Sequence, residues 1–185
     1  PTGATLTDYV RYCREDVSGP QTFDTVLYPD KAGEDTYVNV ERIEMPGTDT
    51  ITATALKIDI GLDNAYYYTS NEAEPTSRAF GSYATDGQMA YVETDSEGKT
   101  GMIAMTQVKT LTKKDGENEI ILVSSSEKMA DLGIEWNMNK MKLFTEDGKL
   151  PEDGVVIHSD VPIEKVTLNG QEVEYIFKDG AVTTN

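Results

Sequence analysis

The chain has 185 residues, enough for one domain with a sizeable core and short for two. Its 33 acidic residues outnumber 16 lysines and arginines, for a formal net charge of −17 and an isoelectric point near 4.3. Binders of nucleic acid or anionic membrane draw affinity from cations that displace counterions at phosphates, so this balance argues against both partners. With 38% hydrophobic residues, a mean hydropathy of −0.46 and no apolar stretch of membrane-crossing length, a globular domain without a membrane span is expected.

Residues 1–21 read as a connector. Leu6 to Arg14 has the only helical spacing, with Thr7 as N-cap and Tyr9, Val10 and Cys13 on one side. A single cysteine, Cys13, cannot form an internal disulfide and leaves the redox compartment undecided. The sequence opens at Pro1 without a basic-then-apolar leader, so an excised piece with an upstream domain is the expectation.

From about residue 22 to residue 185, apolar and polar residues alternate with the two-residue period of a half-buried strand. The clearest runs are Thr54, Leu56, Ile58, Ile60, and Leu132, Ile134, Trp136, Met138. Ile120 to Val123 is continuously apolar, as in a central strand covered on both faces. Between the runs stand Asp86-Gly87, Asp115-Gly116, Asp147-Gly148, Asp153-Gly154, Asn169-Gly170 and Asp179-Gly180, pairs that accept positive φ in tight reversals. Around Asn169-Gly170 the flanks Val166, Leu168 and Val173, Tyr175, Phe177 predict a hairpin. Glu72 to Arg78 reads as an exposed loop, and Lys109, Lys113 and Lys114 as a cluster flanking the Asp115-Gly116 turn. Many short strands without a long helix must bury their faces against another sheet, so the predicted fold is all-β: a two-layer antiparallel β-sandwich over 22–185 behind a short N-terminal connector.

Catalytic groups are scarce. His158 is the sole histidine, at a strand end with Ser159 and Asp160 following. Strand neighbours point to opposite faces, so Ser159 is badly placed to share a proton with His158, and a backbone- or water-satisfied histidine is the expectation. Zinc needs several His or Cys ligands and finds one of each; no metal ligands are assigned. Calcium needs only oxygens, which Asp59, Asp63, Asn64 or the Asp95, Ser96, Glu97 turn could supply, so a structural calcium is left open as the one cofactor. Tyr66 and Tyr68 share one strand face and Tyr67 joins Ala65 on the other; one of these faces could stack on sugar rings. Trp136 continues an apolar stripe and is expected in the core.

Three stretches carry a likeness: Phe23 to Pro29 (Phe23, Asp24, Thr25, Val26, Leu27, Tyr28, Pro29), then Arg78 to Val92 with Thr85-Asp86-Gly87 at its centre, and lastly Val166, Thr167, Leu168, Asn169, Gly170. In this order, and with Ala55 to Ile60 between the first two, they resemble the C-terminal β-sandwich region of heparinase II/III-like polysaccharide lyases, over about Thr22 to Phe177. The resemblance implies an extracellular modular enzyme that cleaves uronic-acid-containing glycans by β-elimination, its catalytic cleft borne by an α-helical toroid against which the sandwich packs. None of the family's catalytic residues falls on this chain. The expectation is therefore a secreted or cell-surface, non-catalytic accessory domain whose partner is the upstream catalytic domain of the same polypeptide. Polysaccharide contact would use Tyr66, Tyr68 and the neighbouring cation Arg78. Alternatives are a carbohydrate-binding or adhesin module of a cell-surface protein, using Tyr66, Tyr68 or Trp136, and a small hydrolase using paired carboxylates.

Overall fold

The structure, a computed structural model, describes residues 24–26 and 36–184. The expected helix at Leu6 to Arg14, Cys13, Phe23 and Leu27 to Pro29 lie outside the described residues. Within them the chain is all-β, with fourteen strands and no helix.

The strands are β1 (Val38–Arg42), β2 (Ala53–Ile60), β3 (Asp63–Ser70), β4 (Arg78–Phe80), β5 (Tyr83–Thr85), β6 (Met89–Thr94), β7 (Thr100–Asp115), β8 (Asn118–Asn137), β9 (Lys140–Phe144), β10 (Val155–His158), β11 (Lys165–Leu168), β12 (Gln171–Glu172), β13 (Tyr175–Lys178) and β14 (Ala181–Thr184). Two are far longer than the usual strand of about five or six residues, β7 with 16 and β8 with 20. They pair with each other along most of their length, and each divides its other edge between two sets of neighbours. The first part of β7 pairs with β6, its last part with β5. The first part of β8 pairs with β10, its last part with β9.

One continuous hydrogen-bonded network therefore folds into two layers. The first runs β1-β2-β3-β6-β7-β8-β9-β11-β12 and the second β4-β5-β7-β8-β10-β14-β13. All pairs among the described residues are antiparallel except β9 with β11, whose connection crosses to the second layer through β10. Ring contacts show the layers face to face. Tyr68 of β3 stacks on Phe80 of β4 at 5.3 Å, and Tyr66 lies 5.0 Å from Tyr83 of β5, although these strands share no ladder. A single large core fills the gap, drawing Ala55, Tyr68, Val92, Ile103 and Met105 from one layer and Phe80, Leu111, Val123, Ile157 and Val182 from the other.

The alternation in β2 has an unexpected sense. Ala53 and Ala55 face the large core, whereas Leu56, Ile58 and Ile60 form a second cluster with Val26, Val38, Ala65, Tyr67 and Tyr91. The bulkier stripe thus lies on the opposite side of its sheet.

Both long strands change layer at irregular points. On β7 the register shifts between Val108 and Thr110, beside Gln107 at φ 51°. Thr85-Asp86-Gly87 clamps this bend. One carboxylate oxygen of Asp86 accepts the backbone N–H groups of Lys109 and Thr110, each at 2.9 Å. Thr85 donates its hydroxyl to the Thr110 carbonyl at 3.1 Å and accepts the Gly87 N–H at 3.1 Å. Gly87 does not adopt positive φ, contrary to the expectation for Asp86-Gly87. It is glycine because a Cβ there would stand 2.9 Å from the Thr106 carbonyl oxygen and 3.0 Å from Val108 Cβ.

The apolar run Ile120 to Val123 also differs from expectation. Leu122 and Val123 are buried, but Ile121 is 55% exposed. Leu111 pairs with Val123 and Thr112 with Ile121, so Leu122 is an inserted bulge residue, and consecutive side chains both enter the core. Coverage on both faces is not the cause. The other glycine pairs behave as expected, with Gly116, Gly148, Gly154, Gly170 and Gly180 all at positive φ. Asn169-Gly170 and Asp179-Gly180 have both central residues there, as tight two-residue hairpins require, and join β11 to β12 and β13 to β14. Asn169 does more than turn: its side-chain amide donates to the Thr145 carbonyl at 2.8 Å and accepts the Thr145 N–H at 3.2 Å.

Candidate functional site

The three residues expected to contact sugar do not form one platform. Tyr68 is fully buried and stacked on Phe80, so its ring offers no face to a ligand. In a three-tyrosine run the alternation identifies which two share a face, but it cannot tell which face points inward. Arg78 lies half-buried at the start of β4, its guanidinium ion-paired to Glu72. That pairing holds the Glu72 carboxyl below its ordinary range and raises Arg78 further above its own. Tyr68 is the second influence on Arg78, yet its hydroxyl meets no partner at hydrogen-bonding geometry among the described residues. The loop Glu72 to Arg78 is mostly exposed, with Pro75 buried.

Tyr66 is half-buried and borders open space. It lines a depression of about 310 Å³ with Asn64, Ser82, Tyr83, Asp95 and Lys113. Burial, and secondarily the neighbouring Tyr66, push the Tyr83 phenol up to about 12. The Lys113 ammonium is used to hold the β6–β7 loop, donating to the Gly98 carbonyl at 3.1 Å. Of the expected lysine cluster, Lys113 and Lys114 do precede the Asp115-Gly116 turn, whereas Lys109 sits at the bend of β7.

A second cavity, of about 280 Å³, adjoins the first at Asp95, at the same end of the sandwich. It opens between the layers. Its buried floor is Ile103 from β7 and Leu122, the bulge residue of β8; Trp136 forms a wall, and Asp95, Lys99, Met138, His158 and Asp160 stand around it. Trp136, Ser159 and the charged side chains here are held by local partners. The indole N–H of Trp136 donates to Ser159 Oγ at 3.3 Å, and that hydroxyl donates to the Val161 carbonyl at 2.8 Å. His158 Nε2 lies 3.2 Å from Asp160 Oδ1. Asp95 Oδ1 accepts the N–H groups of Glu97 and Lys99, both at 2.9 Å, closing the β6–β7 turn. Lys99 pairs with Glu97 at 2.6 Å; that hydrogen bond first, with Asp95 and Asp160 adding, raises its pKa.

Trp136 therefore packs against the core, as its stripe implied, while also lining a cavity. Met138, the last member of that stripe, instead falls outside the strand. It occupies the first position of the two-residue β8–β9 turn at φ 56° and is 81% exposed. No group of three or more His, Cys, Asp or Glu side chains among the described residues could hold a metal ion. Asp59 and Asp95, both considered as calcium donors, are engaged with Lys57 and Asn39 and with the loop amides, respectively. Hydrogen bonds from Lys57 first and Asn39 second keep the Asp59 carboxyl below its usual range.

Sequence reasoning singled out His158, Asp160 and Trp136 but not Lys99 or Leu122, which reach the cavity through a turn and a bulge that alternation does not register. No family model and no curated protein matches this chain.

Proposed function

We propose that this chain is a non-catalytic β-sandwich domain of a secreted or cell-surface polysaccharide lyase similar to the heparinase II/III-like enzymes, supporting a catalytic region elsewhere in the same polypeptide. One observation supports the reading: the described turn residues of the likeness, Thr85, Asp86, Gly87 and Asn169, serve the architecture. Asp86 and Thr85 clamp the bend of β7, Gly87 permits its close approach, and Asn169 pins the end of β9. These are tertiary requirements of one particular sandwich, so their joint occurrence says more than turn grammar would. The described residues hold no nucleophile beside the sole histidine, since the Ser159 hydroxyl donates to a carbonyl and accepts from Trp136. In such an enzyme the domain would bind its neighbour and not the scissile bond.

The test is twofold. Uronic-acid polymers incubated with the isolated chain should yield no unsaturated sugar ends, and robust product would overturn the non-catalytic assignment. The full reading frame of the parent should encode a long helical-repeat region; a string of other β modules would overturn the lyase. A second reading, a carbohydrate-binding or adhesin module, is favoured by the cavity beside Trp136.

A further inference from the structure

We infer that the cavity beside Trp136 is a binding site for one pyranose ring carrying neutral or basic substituents, and that Met138 closes its rim. The inference rests on the cavity alone and holds whether or not the parent is a lyase.

Three features of the cavity converge on that ligand. Its volume of about 280 Å³ is at the small end of ligand pockets and suits a single ring, not a chain of them. Its lining is divided by chemistry, with Ile103, Leu122, Trp136 and Met138 on one side and Asp95, Lys99, His158 and Asp160 on the other. A pyranose has the same division, an apolar face of C–H groups and a rim of hydroxyls, and an aromatic wall pinned in orientation through its own N–H is suited to the apolar face. The charge at the rim decides the substituents. Asp95 and Asp160 are acidic, and the one lysine is already paired with Glu97 outside the cavity lining. Within a chain of net charge −17, a uronate would be repelled, whereas a hydroxyl or an amine finds acceptors in the carboxylates of Asp95 and Asp160, whose hydrogen bonds among the described residues use Oδ1.

Met138 supplies the independent observation. The first position of its turn takes positive φ, a conformation that glycine or asparagine adopts cheaply and that a long unbranched side chain adopts at a cost in strain. The side chain is also 81% exposed, so burial does not compensate that cost. Strain kept at an exposed apolar residue lining a cavity points to a role for the side chain in that cavity.

Trp136 is the only tryptophan of the chain, so its emission reports on the cavity directly. The full chain is titrated with methyl glucosaminide, methyl glucoside and methyl glucuronide, with acrylamide quenching as the control that the indole is reachable. A saturable emission change in the millimolar range is expected for the glucosaminide, a weaker one for the glucoside, and none for the glucuronide. Met138→Gly should raise Tm, because strain is relieved, and weaken glucosaminide binding about threefold or more. Asp160→Asn should weaken the glucosaminide more than the glucoside without lowering Tm by more than a few degrees. No saturable response to either uncharged or amino sugar at tens of millimolar overturns the site, as does glucuronide binding on a par with the glucosaminide. Unchanged binding in Met138→Gly overturns the role of the rim.

Discussion

Gly87→Ala probes the joint between the layers most directly. The added methyl would stand 2.9 Å from the Thr106 carbonyl oxygen and 3.0 Å from Val108 Cβ. The first contact is backbone, and Val108 is completely buried, so neither can swing aside. Overpacking of this kind costs about 1–3 kcal/mol. Removing a glycine returns roughly 0.4–1 kcal/mol by restricting the unfolded chain, which leaves a net loss of about 1–2 kcal/mol. For a domain of this size that lowers Tm by roughly 2–8 °C. Gly101→Ala is the control, because Gly101, on β7, has ordinary φ and a Cβ there meets nothing within 4 Å. Thermal melts of both variants, followed by circular dichroism, give the comparison. A Gly87→Ala melt within a degree of the Gly101→Ala melt would refute the claim that close approach, and not turn conformation, requires glycine here. Asp86→Ala extends the test: losing a charged acceptor shared by two backbone N–H groups costs about 2–3 kcal/mol, since water can replace only the bond at the exposed Lys109 end.

Tyr68→Phe removes a buried hydroxyl without a hydrogen-bond partner and should leave stability unchanged or raise it by up to about 1 kcal/mol; denaturant unfolding that shows a clear loss would mean the hydroxyl is bonded after all. Asn169→Gly keeps the positive φ but loses both bonds to Thr145, whereas Asn169→Ala loses the conformation as well, so Tm should fall from wild type to Gly to Ala. Tyr83 ionises later in the folded protein than in the unfolded chain, its pKa raised from the ordinary 10.0 to about 12. Its contribution is therefore complete below pH 10 and lost as pH rises toward 12, and Tyr83→Phe should flatten that alkaline fall in stability. Glu72 has the opposite sense: its folded pKa is depressed by Arg78, so its contribution is present above the ordinary carboxylate range and disappears on acidification. Glu72→Gln should make acid unfolding near and below pH 4.5 less steep.

The strands were legible because one face of each is buried and a period of two follows. Thr54 to Ile60 and Leu132 to Trp136 lie in strands as their patterns require. What alternation does not carry is the inward sense of a stripe. In β2 the alanines face the main core, and in β3 Tyr66 and Tyr68 do, meeting the rings of Tyr83 and Phe80 from the other layer. Bulges were hidden for a related reason. Leu122 shifts phase by one residue, so the run Ile120 to Val123 imitates a strand covered on both sides. Asp86-Gly87 matched the pattern of a reversal, yet its residues hold a strand 20 or more positions away, a relation no local spacing expresses. The cavity depended on these same irregularities and was legible only in part, through His158, Asp160 and Trp136.

Because β7 and β8 each belong to both layers, the two halves of the sandwich share their central backbone. Peeling one half away would break ladders that also support the other, so the described residues should melt as one cooperative unit, without a half-open intermediate. A protease that cuts within the shared ribbons should release no stable half, whereas a nick in the loop Glu72 to Arg78, remote from the ribbons' own connection, should leave the rest intact.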